Sequence, residues 1–139
     1  MSIGYITHHH CQLHDMGSYH PEQPARLAAI NDRLIATGLD MVLRQHDAQP
    51  AQREQLLAAH DSAYIDTVFR KSPEHGQVAL DDDTSMNPFS LRAALLAAGA
   101  VSQGVDMVMS GELNQVFCGV RPPGHHAERD RAMGFCLFN

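Results

Sequence analysis

Two adjacent histidines, His125 and His126, are the residues of this sequence whose type and position most favour chemistry. They follow Arg121-Pro122-Pro123-Gly124, which comes directly after an apolar run. On an extended strand their rings would point to opposite faces, but Pro-Pro-Gly breaks the strand, and a positive φ at Gly124 would let both rings face one pocket. Paired imidazoles suit proton transfer near neutral pH. The competing interpretation is a rigid turn with two solvent-facing histidines.

Other polar clusters are weaker indications of a functional site. The tract His8-His9-His10-Cys11 with His14 contains zinc-type ligands, but its spacing matches no standard zinc motif, which favours an exposed loop. Arg26 lies beside the apolar face of a predicted helix, where it either meets an anion or extends its head into water. The acidic run 81–83 and the charged stretch 128–131 are predicted to be solvated turns.

The elements that must position these residues follow an α/β pattern. Strands are predicted at Ile3–Ile6, from Met41 to before Pro50, and at Gln115–Val120. The last of these is continuously apolar, as a buried parallel strand should be. The first helix begins near Pro24 and ends at Gly38, a residue expected in the left-handed conformation.

Further helices are predicted at 52–59 and 62–70, the second of them capped by Asp61. After a loop from Lys71 to Met86, a long Ala-rich helix is expected from Pro88, with Asn87 as its cap, to Gly111. In parallel α/β sheets ligands bind beyond the carboxyl ends of the strands, which is where the two histidines fall.

Composition sets the outer limits. The 139 residues suffice for one domain. A net charge of −6, from 10 Lys and Arg against 16 Asp and Glu, disfavours a nucleic-acid binder. No membrane span or signal peptide is evident in the sequence, so no membrane association is expected. Three cysteines without a Cys-x-x-Cys motif predict reduced thiols and a cytoplasmic location.

Four segments occur in this order along the chain: His20-Pro-Glu-x-Pro-x-Arg26, the block Leu56–Ile65, Arg121-Pro-Pro-Gly-His-His-Ala and, after five further residues, Met133-Gly-Phe-Cys-Leu-Phe-Asn139. Together they resemble the zinc-dependent histone deacetylases, most closely the class II branch and its bacterial deacetylase-like amidohydrolases. The resemblance implies the arginase/deacetylase fold, a three-layer α/β/α domain on a mostly parallel sheet. Residues 1–139 would form its N-terminal part, with three parallel strands in the order 2-1-3.

The resemblance also implies a reaction, the zinc-assisted removal of an acetyl group from lysine or from a small amine. His126 would be the general base and acid, and His125 its electrostatic and hydrogen-bonding support. Gly134 would offer its carbonyl to the substrate amide, and Phe135 would form an aromatic wall of the acyl-lysine tunnel. Arg26 would line the inner cavity near the acetate product.

The sequence departs from the family where the metal is concerned. The Asp-x-His pair and the later Asp that hold zinc in this family are not found in residues 1–139. We therefore expect a chain truncated before these motifs, with no metal ligand of its own, no bound zinc and no activity alone. The alternative is a stand-alone truncated domain that self-associates or binds a partner without catalysis. Pairing across Gln115–Val120 or the C-terminal apolar run would give a dimer or oligomer.

Overall fold

A computed structural model describes residues 2–139 and contains a three-stranded parallel sheet. Its strands are β1 (Ile3–Thr7), β2 (Arg44–Asp47) and β5 (Gln115–Gly119), arranged in the order β2-β1-β5. In register, Gly4 of β1 lies opposite Arg44 of β2 and Val116 of β5. The predicted α/β class and the strand order 2-1-3 are confirmed.

Four helices and a small hairpin complete the described chain. The helices are α1 (Ala25–Thr37), α2 (Arg53–Leu57), α3 (Ser62–Lys71) and α4 (Ser90–Met109), and short 3-10 turns cover His9–Gln12 and Leu39–Met41. The hairpin pairs β3 (Val78–Ala79) with β4 (Ser85–Met86) in antiparallel fashion. It occupies the stretch that was predicted to be a loop.

The helices cover both faces of the sheet. On one face the Tyr5 hydroxyl donates to Asn31 of α1 at 2.7 Å, and the Tyr5 ring stacks on Phe117. On the other face Ile6 packs in a core cluster with Leu96 of α4. Because successive strand residues point to opposite faces, α1 and α4 lie on opposite sides of the sheet. The result is the three-layer α/β/α arrangement.

The second strand begins later than predicted. Gly38 does adopt the left-handed conformation, with φ 71°, but a 3-10 turn follows it, and pairing with β1 starts only at Arg44. Apolar character had placed the strand at Met41 and Val42, which are exposed. Because β2 is an edge strand with mostly exposed side chains, an apolar run could not indicate its position.

Two predicted caps also differ in detail. Asn87 accepts the Phe89 N–H at 3.1 Å and the Ser90 hydroxyl at 2.9 Å, and this turn delays the start of α4 to Ser90. Asp61 precedes α3, but its side chain makes no capping bond and pairs instead with Arg129 at 2.7 Å.

Helix α4 is also long and apolar enough, by length and composition, to cross a membrane, which corrects the expectation that no segment reaches that length. The core helix of a soluble protein passes the same test. In this fold α4 buries one face against β1 and β5, and residues on that face include Leu96, Ala100 and Gly104.

Candidate active site

The histidine loop leaves the carboxyl end of β5, next to the loop that leaves the same end of β1. His125 and His126 are both exposed, and their ring centroids are 4.3 Å apart at an interplanar angle of 53°. Both rings line a cleft of about 580 Å³, which Arg26, Gly134 and Phe135 also line. All five residues singled out from the sequence therefore meet at one place.

The glycine of this loop serves a different purpose from the one predicted. Gly124 does not adopt a positive φ. A Cβ at Gly124 would instead collide with the carbonyl oxygen of Phe138, so a side chain here would push the histidine loop off the C-terminal segment. The peptide bond between Arg121 and Pro122, at the start of the loop, is cis.

Arg121 anchors the base of the loop through a buried ion pair. Its guanidinium donates to both carboxylate oxygens of Glu22, from Nε at 2.9 Å and from Nη2 at 2.6 Å. Its Nη1 donates to the carbonyls of Cys11 and His14. Arg121 and Glu22 are 2% and 1% exposed. One bidentate pair therefore ties the histidine loop to the segment that leads into α1.

Sequence reasoning missed this pair, although a signal was present. An arginine directly after a buried apolar strand needs an acceptor, and the motif His20-Pro-Glu supplies the carboxylate. Arg26, which was discussed instead, has an exposed side chain at the rim of the cleft, with Nη1 3.4 Å from Glu22 Oε1. Of the two interpretations left open, Arg26 fits a guanidinium in water that also faces the cleft.

The His-rich tract is only partly the exposed loop that was expected. Cys11 and His14 are fully buried, whereas His9 is exposed and its ring stacks on His8. His14 Nδ1 lies 2.7 Å from the Ser90 hydroxyl, and Nε2 lies 3.5 Å from Glu22 Oε2. Burial, reinforced by the positive charge of Arg121, lowers the pKa of His14 to about 4, so its imidazole is neutral at neutral pH.

A tight turn at Gly134 and Phe135 forms the opposite wall of the cleft. Both residues have positive φ, 57° and 71°, and Gly134 packs against the His126 ring. Positive φ is unusual for phenylalanine and needs support from its surroundings. That support comes from Thr84, whose hydroxyl accepts the Phe135 N–H at 2.9 Å, and from His20, whose ring meets the Phe135 ring at 4.5 Å and 81°.

Asp83 completes this support, although the acidic run to which it belongs is exposed as predicted. Its Oδ1 accepts the Gly134 N–H at 3.1 Å and the Thr84 hydroxyl at 3.0 Å. The bond from Thr84 is the largest of the effects that hold the pKa of Asp83 below its usual value. Nothing in the local sequence distinguishes Asp83 from Asp81 and Asp82, because the contact is made across 51 residues.

Cys136 lies beneath the two walls. Its sulfur accepts the His126 N–H at 3.4 Å and donates to the Gly134 carbonyl at 3.3 Å. Burial raises the pKa of Cys136, so the group is a thiol rather than a thiolate. It links the histidine loop to the turn.

The donors needed for a metal do not come together in the part of the chain that the structure describes. Within residues 2–139 no group of three or more His, Cys, Asp or Glu side chains is arranged to hold a metal ion. A tetrahedral zinc site needs at least three such protein ligands. The residues present therefore do not fit a zinc site of their own.

An α/β/α domain with paired histidines at the carboxyl end of its parallel sheet has the architecture of the arginase/deacetylase fold. A model of the histone deacetylase domain matches residues 20–139. This match covers most of the chain, and the chain belongs to the histone deacetylase family.

Individual relatives agree with this assignment. The chain is 35% identical over 119 residues to a histone deacetylase-like amidohydrolase of Pseudomonas aeruginosa, covering 86% of the chain and 31% of that protein. It is 38% identical over 124 residues to the human polyamine deacetylase HDAC10, covering 85% of the chain and 18% of that protein. It is 39% identical over 129 residues to an uncharacterized Synechocystis protein, slr0245, covering 91% of the chain and 42% of that protein.

A solved structure extends the likeness to three dimensions. The HDA15 HD domain superimposes with a TM-score of 0.93 at 34% identity, covering 99% of this chain and 40% of that one. The chain thus spans less than half of the proteins that it matches here.

Proposed function

We propose that this chain is the N-terminal segment of a zinc-dependent deacetylase, an amidohydrolase acting on acetyl-lysine or acetylated small amines. The observation that carries the proposal is the cleft in which His125 and His126 face Gly134 and Phe135. Membership of the histone deacetylase family supports it. The chain would supply the proton-transfer half of the site and be inactive alone.

The two histidines have different surroundings, which suits different roles. His126 packs against Gly134, and its backbone N–H is bonded to Cys136, so its ring is held at the turn where a scissile amide would lie. We assign His126 as the group that takes a proton from water and returns it to the leaving amine. His125 lines the same cleft, and with its ring 4.3 Å away it supports the charge that develops on His126.

The turn residues and Arg26 would bind the substrate and the product. The only donor to the Gly134 carbonyl among the described residues is the Cys136 thiol, a weak donor, which leaves this oxygen able to accept a substrate N–H. The Phe135 ring offers a flat surface to a methylene stem. Because Arg121 already neutralises Glu22, the charge of Arg26 remains available to a product carboxylate such as acetate.

In this proposal the side chains that hold zinc lie outside the described residues. In this family the metal polarises the amide carbonyl, but residues 2–139 contain no site that fits it. The proton chemistry assigned here is therefore that of the imidazoles alone. We expect the 139-residue chain to retain no zinc after dialysis, as measured by elemental analysis.

The cellular location of the protein, its branch of the family and the absence of nucleic-acid and membrane binding are also proposed. The free cysteines at 11, 118 and 136 support a cytoplasmic location, and the net charge of −6 supports a protein that does not bind nucleic acid. The proposal of a bacterial class II type rests on the resemblance of the motifs.

A chimaera would test the proposed function. In the Pseudomonas aeruginosa amidohydrolase, the aligned 119-residue segment would be replaced by the corresponding part of this chain. We expect deacetylation of an acetyl-lysine peptide or an acetylated polyamine. His126→Ala should lower kcat by about 10²–10⁴-fold, the usual contribution of a general base, and His125→Ala should lower it less.

The exposed, off-site His75→Ala is the matched control and should leave the rate unchanged. A folded chimaera that contains zinc but hydrolyses none of these substrates, or one that keeps its rate without His126, would contradict the proposal.

A second candidate function is self-association or partner binding without catalysis. The observation that favours it is the open side of the sheet at β5, the last strand in the order β2-β1-β5. Beside it, Val101 and Val105 of α4 are each more than half exposed. A groove of about 360 Å³, lined by Val101, Val120 and Phe138 among others, runs from this side to His125. Any segment that docks here would touch the proposed site.

A further inference from the structure

His60 is a buried imidazole that the proposed chemistry does not use. It lies between α2 and α3 and is 1% exposed. Its ring contacts Tyr64 at 5.1 Å and Phe138 at 5.7 Å between centroids. A buried histidine needs partners for both ring nitrogens, and the identity of those partners determines what the residue does.

Both nitrogens of His60 bind the backbone of one distant segment. Nδ1 lies 2.9 Å from the carbonyl oxygen of Glu128, and the Asn139 N–H donates to Nε2 at 2.9 Å. A backbone N–H can only donate and a carbonyl can only accept. Nε2 must therefore be unprotonated and Nδ1 must carry the hydrogen, which fixes one neutral tautomer.

These two bonds hold the two ends of one segment of the chain, residues 128–139. Residues 128 and 139 flank the stretch that carries the Gly134–Phe135 turn, and Glu128 follows the histidine pair by two positions. Further bonds from the same corner act on the same stretch. The Tyr64 hydroxyl donates to the Leu137 carbonyl at 2.6 Å, and the Asp61 N–H donates to the Arg129 carbonyl at 2.9 Å.

We propose that His60 is a positioning residue that clamps both ends of segment 128–139 and so fixes the Gly134–Phe135 turn against His126. Its significance for substrate rests on the proposed function, but the clamp itself can be tested without substrate. A neutral imidazole holds the two ends of the segment, while Asp83 and Thr84 hold the Gly134–Phe135 turn. This wall of the cleft is thus held at the two ends of segment 128–139 and at the Gly134–Phe135 turn itself.

The first test is the tautomer of His60 in the unmodified 139-residue chain. Long-range ¹H–¹⁵N correlation spectra distinguish a protonated Nδ1 from a protonated Nε2 directly. At neutral pH we expect His60 to show only the Nδ1–H form. A spectrum with Nε2 protonated, or one that averages the two forms, would overturn the proposal whatever the outcome of any activity assay.

The second test is amide hydrogen exchange in His60→Ala, with His60→Gln as the conservative variant and exposed His75→Ala as the control. Loss of the clamp should speed exchange at Asn139, Gly134 and Phe135 by about tenfold, as expected for loss of one hydrogen bond. The β1 amide of Ile6 should keep its rate, which distinguishes a local effect from a loss of global stability. Gln can both accept and donate, so it should restore part of the protection.

Equal acceleration at Ile6 and at Gly134 would reduce His60 to a stabilising core residue and overturn the proposal. So would unchanged exchange at all three segment amides. Since neither measurement uses substrate, a failed clamp and a failed deacetylase assignment would be told apart.

Discussion

At the scale of single residues, His14 shows how burial decides protonation. Its Nε2 has no hydrogen-bond partner among residues 2–139, although the carboxylate of Glu22 is 3.5 Å away. That carboxylate is already matched by Arg121, whose positive charge also disfavours a second cation. With its pKa lowered to about 4, His14 stays neutral, and its contact with Glu22 is not an ion pair at neutral pH.

This predicts a pH-dependent stability. The unfolded chain takes up a proton on His14 near pH 6.5, whereas the folded chain does so only near pH 4. The free energy of unfolding should therefore fall by about 3 kcal/mol from this group as the pH drops through that window, and stay constant above it. Urea denaturation at a series of pH values would measure the slope.

His14→Gln should flatten this slope between pH 6.5 and 4, because glutamine does not titrate. The exposed His75→Gln should leave the slope as it is. Parallel curves for the unmodified chain and His14→Gln would show that His14 takes up its proton at the same pH in the folded and the unfolded chain, which would contradict its lowered pKa.

At the scale of elements, helix α4 depends on one close approach. Gly99 faces the segment that follows β2, where Ala51 donates its N–H to the Leu95 carbonyl at 2.8 Å. A Cβ at Gly99 would run into the backbone at Gln49 and Pro50. Backbone cannot move aside as a flexible side chain can, so helix and loop touch only because this residue is glycine.

Gly99→Ala should therefore destabilise the chain by about 1–3 kcal/mol, the usual cost of overpacking, although alanine favours helix. Asp106→Ala, at an exposed position two turns further along the same helix, is the matched control and should change the free energy of unfolding by less than about 0.5 kcal/mol. Thermal denaturation of the three proteins would suffice. A more stable Gly99→Ala would mean that the loop lies further from α4.

The elements also show where sequence reasoning succeeds. Helical periodicity located α1, α3 and α4, and short apolar runs located β1 and β5. These patterns failed at β2, an exposed edge strand, and at the hairpin of β3 and β4, whose strands have two residues each. Neither has a buried pattern long enough to be seen.

The residues of the candidate site also fall into two groups, those that the sequence indicated and those that it did not. Residue type and position indicated His125 and His126, the family resemblance added Gly134, Phe135 and Arg26, and the structure brings all five to one cleft. The groups that hold them were not marked. Glu22 reaches Arg121 across 99 residues, Asp83 reaches Gly134 across 51, and His60 reaches Asn139 across 79. Such contacts have no local period and appear only when the chain is folded.

At the scale of the whole molecule, one side of β5 pairs with no other strand within residues 2–139, and this open side predicts association. An open strand is a template for pairing, and the neighbouring exposed valines extend it with apolar surface. We expect the 139-residue chain to form dimers or larger oligomers, with the dimer fraction rising with concentration in sedimentation velocity and light scattering.

Val101→Glu should shift this equilibrium toward monomer, because it places a charge beside the groove. Met41→Glu is the control, an equally apolar and exposed position near the opposite edge strand, and it should leave the distribution unchanged. A monodisperse monomer at every concentration would contradict association through this side.

The position of β1 at the centre of the sheet also sets the order in which the chain can fold during synthesis. Thr7 of β1 bonds to the carbonyl of Gly119, 112 residues later. At a synthesis rate of about 5–20 residues per second, β1 leaves the ribosome roughly ten seconds before its second neighbour exists. During that interval β1 can pair on one side only, with β2. The side of the central strand that β5 later covers therefore stays open while more than a hundred residues are synthesised, and until β5 emerges it is a template for pairing with other chains.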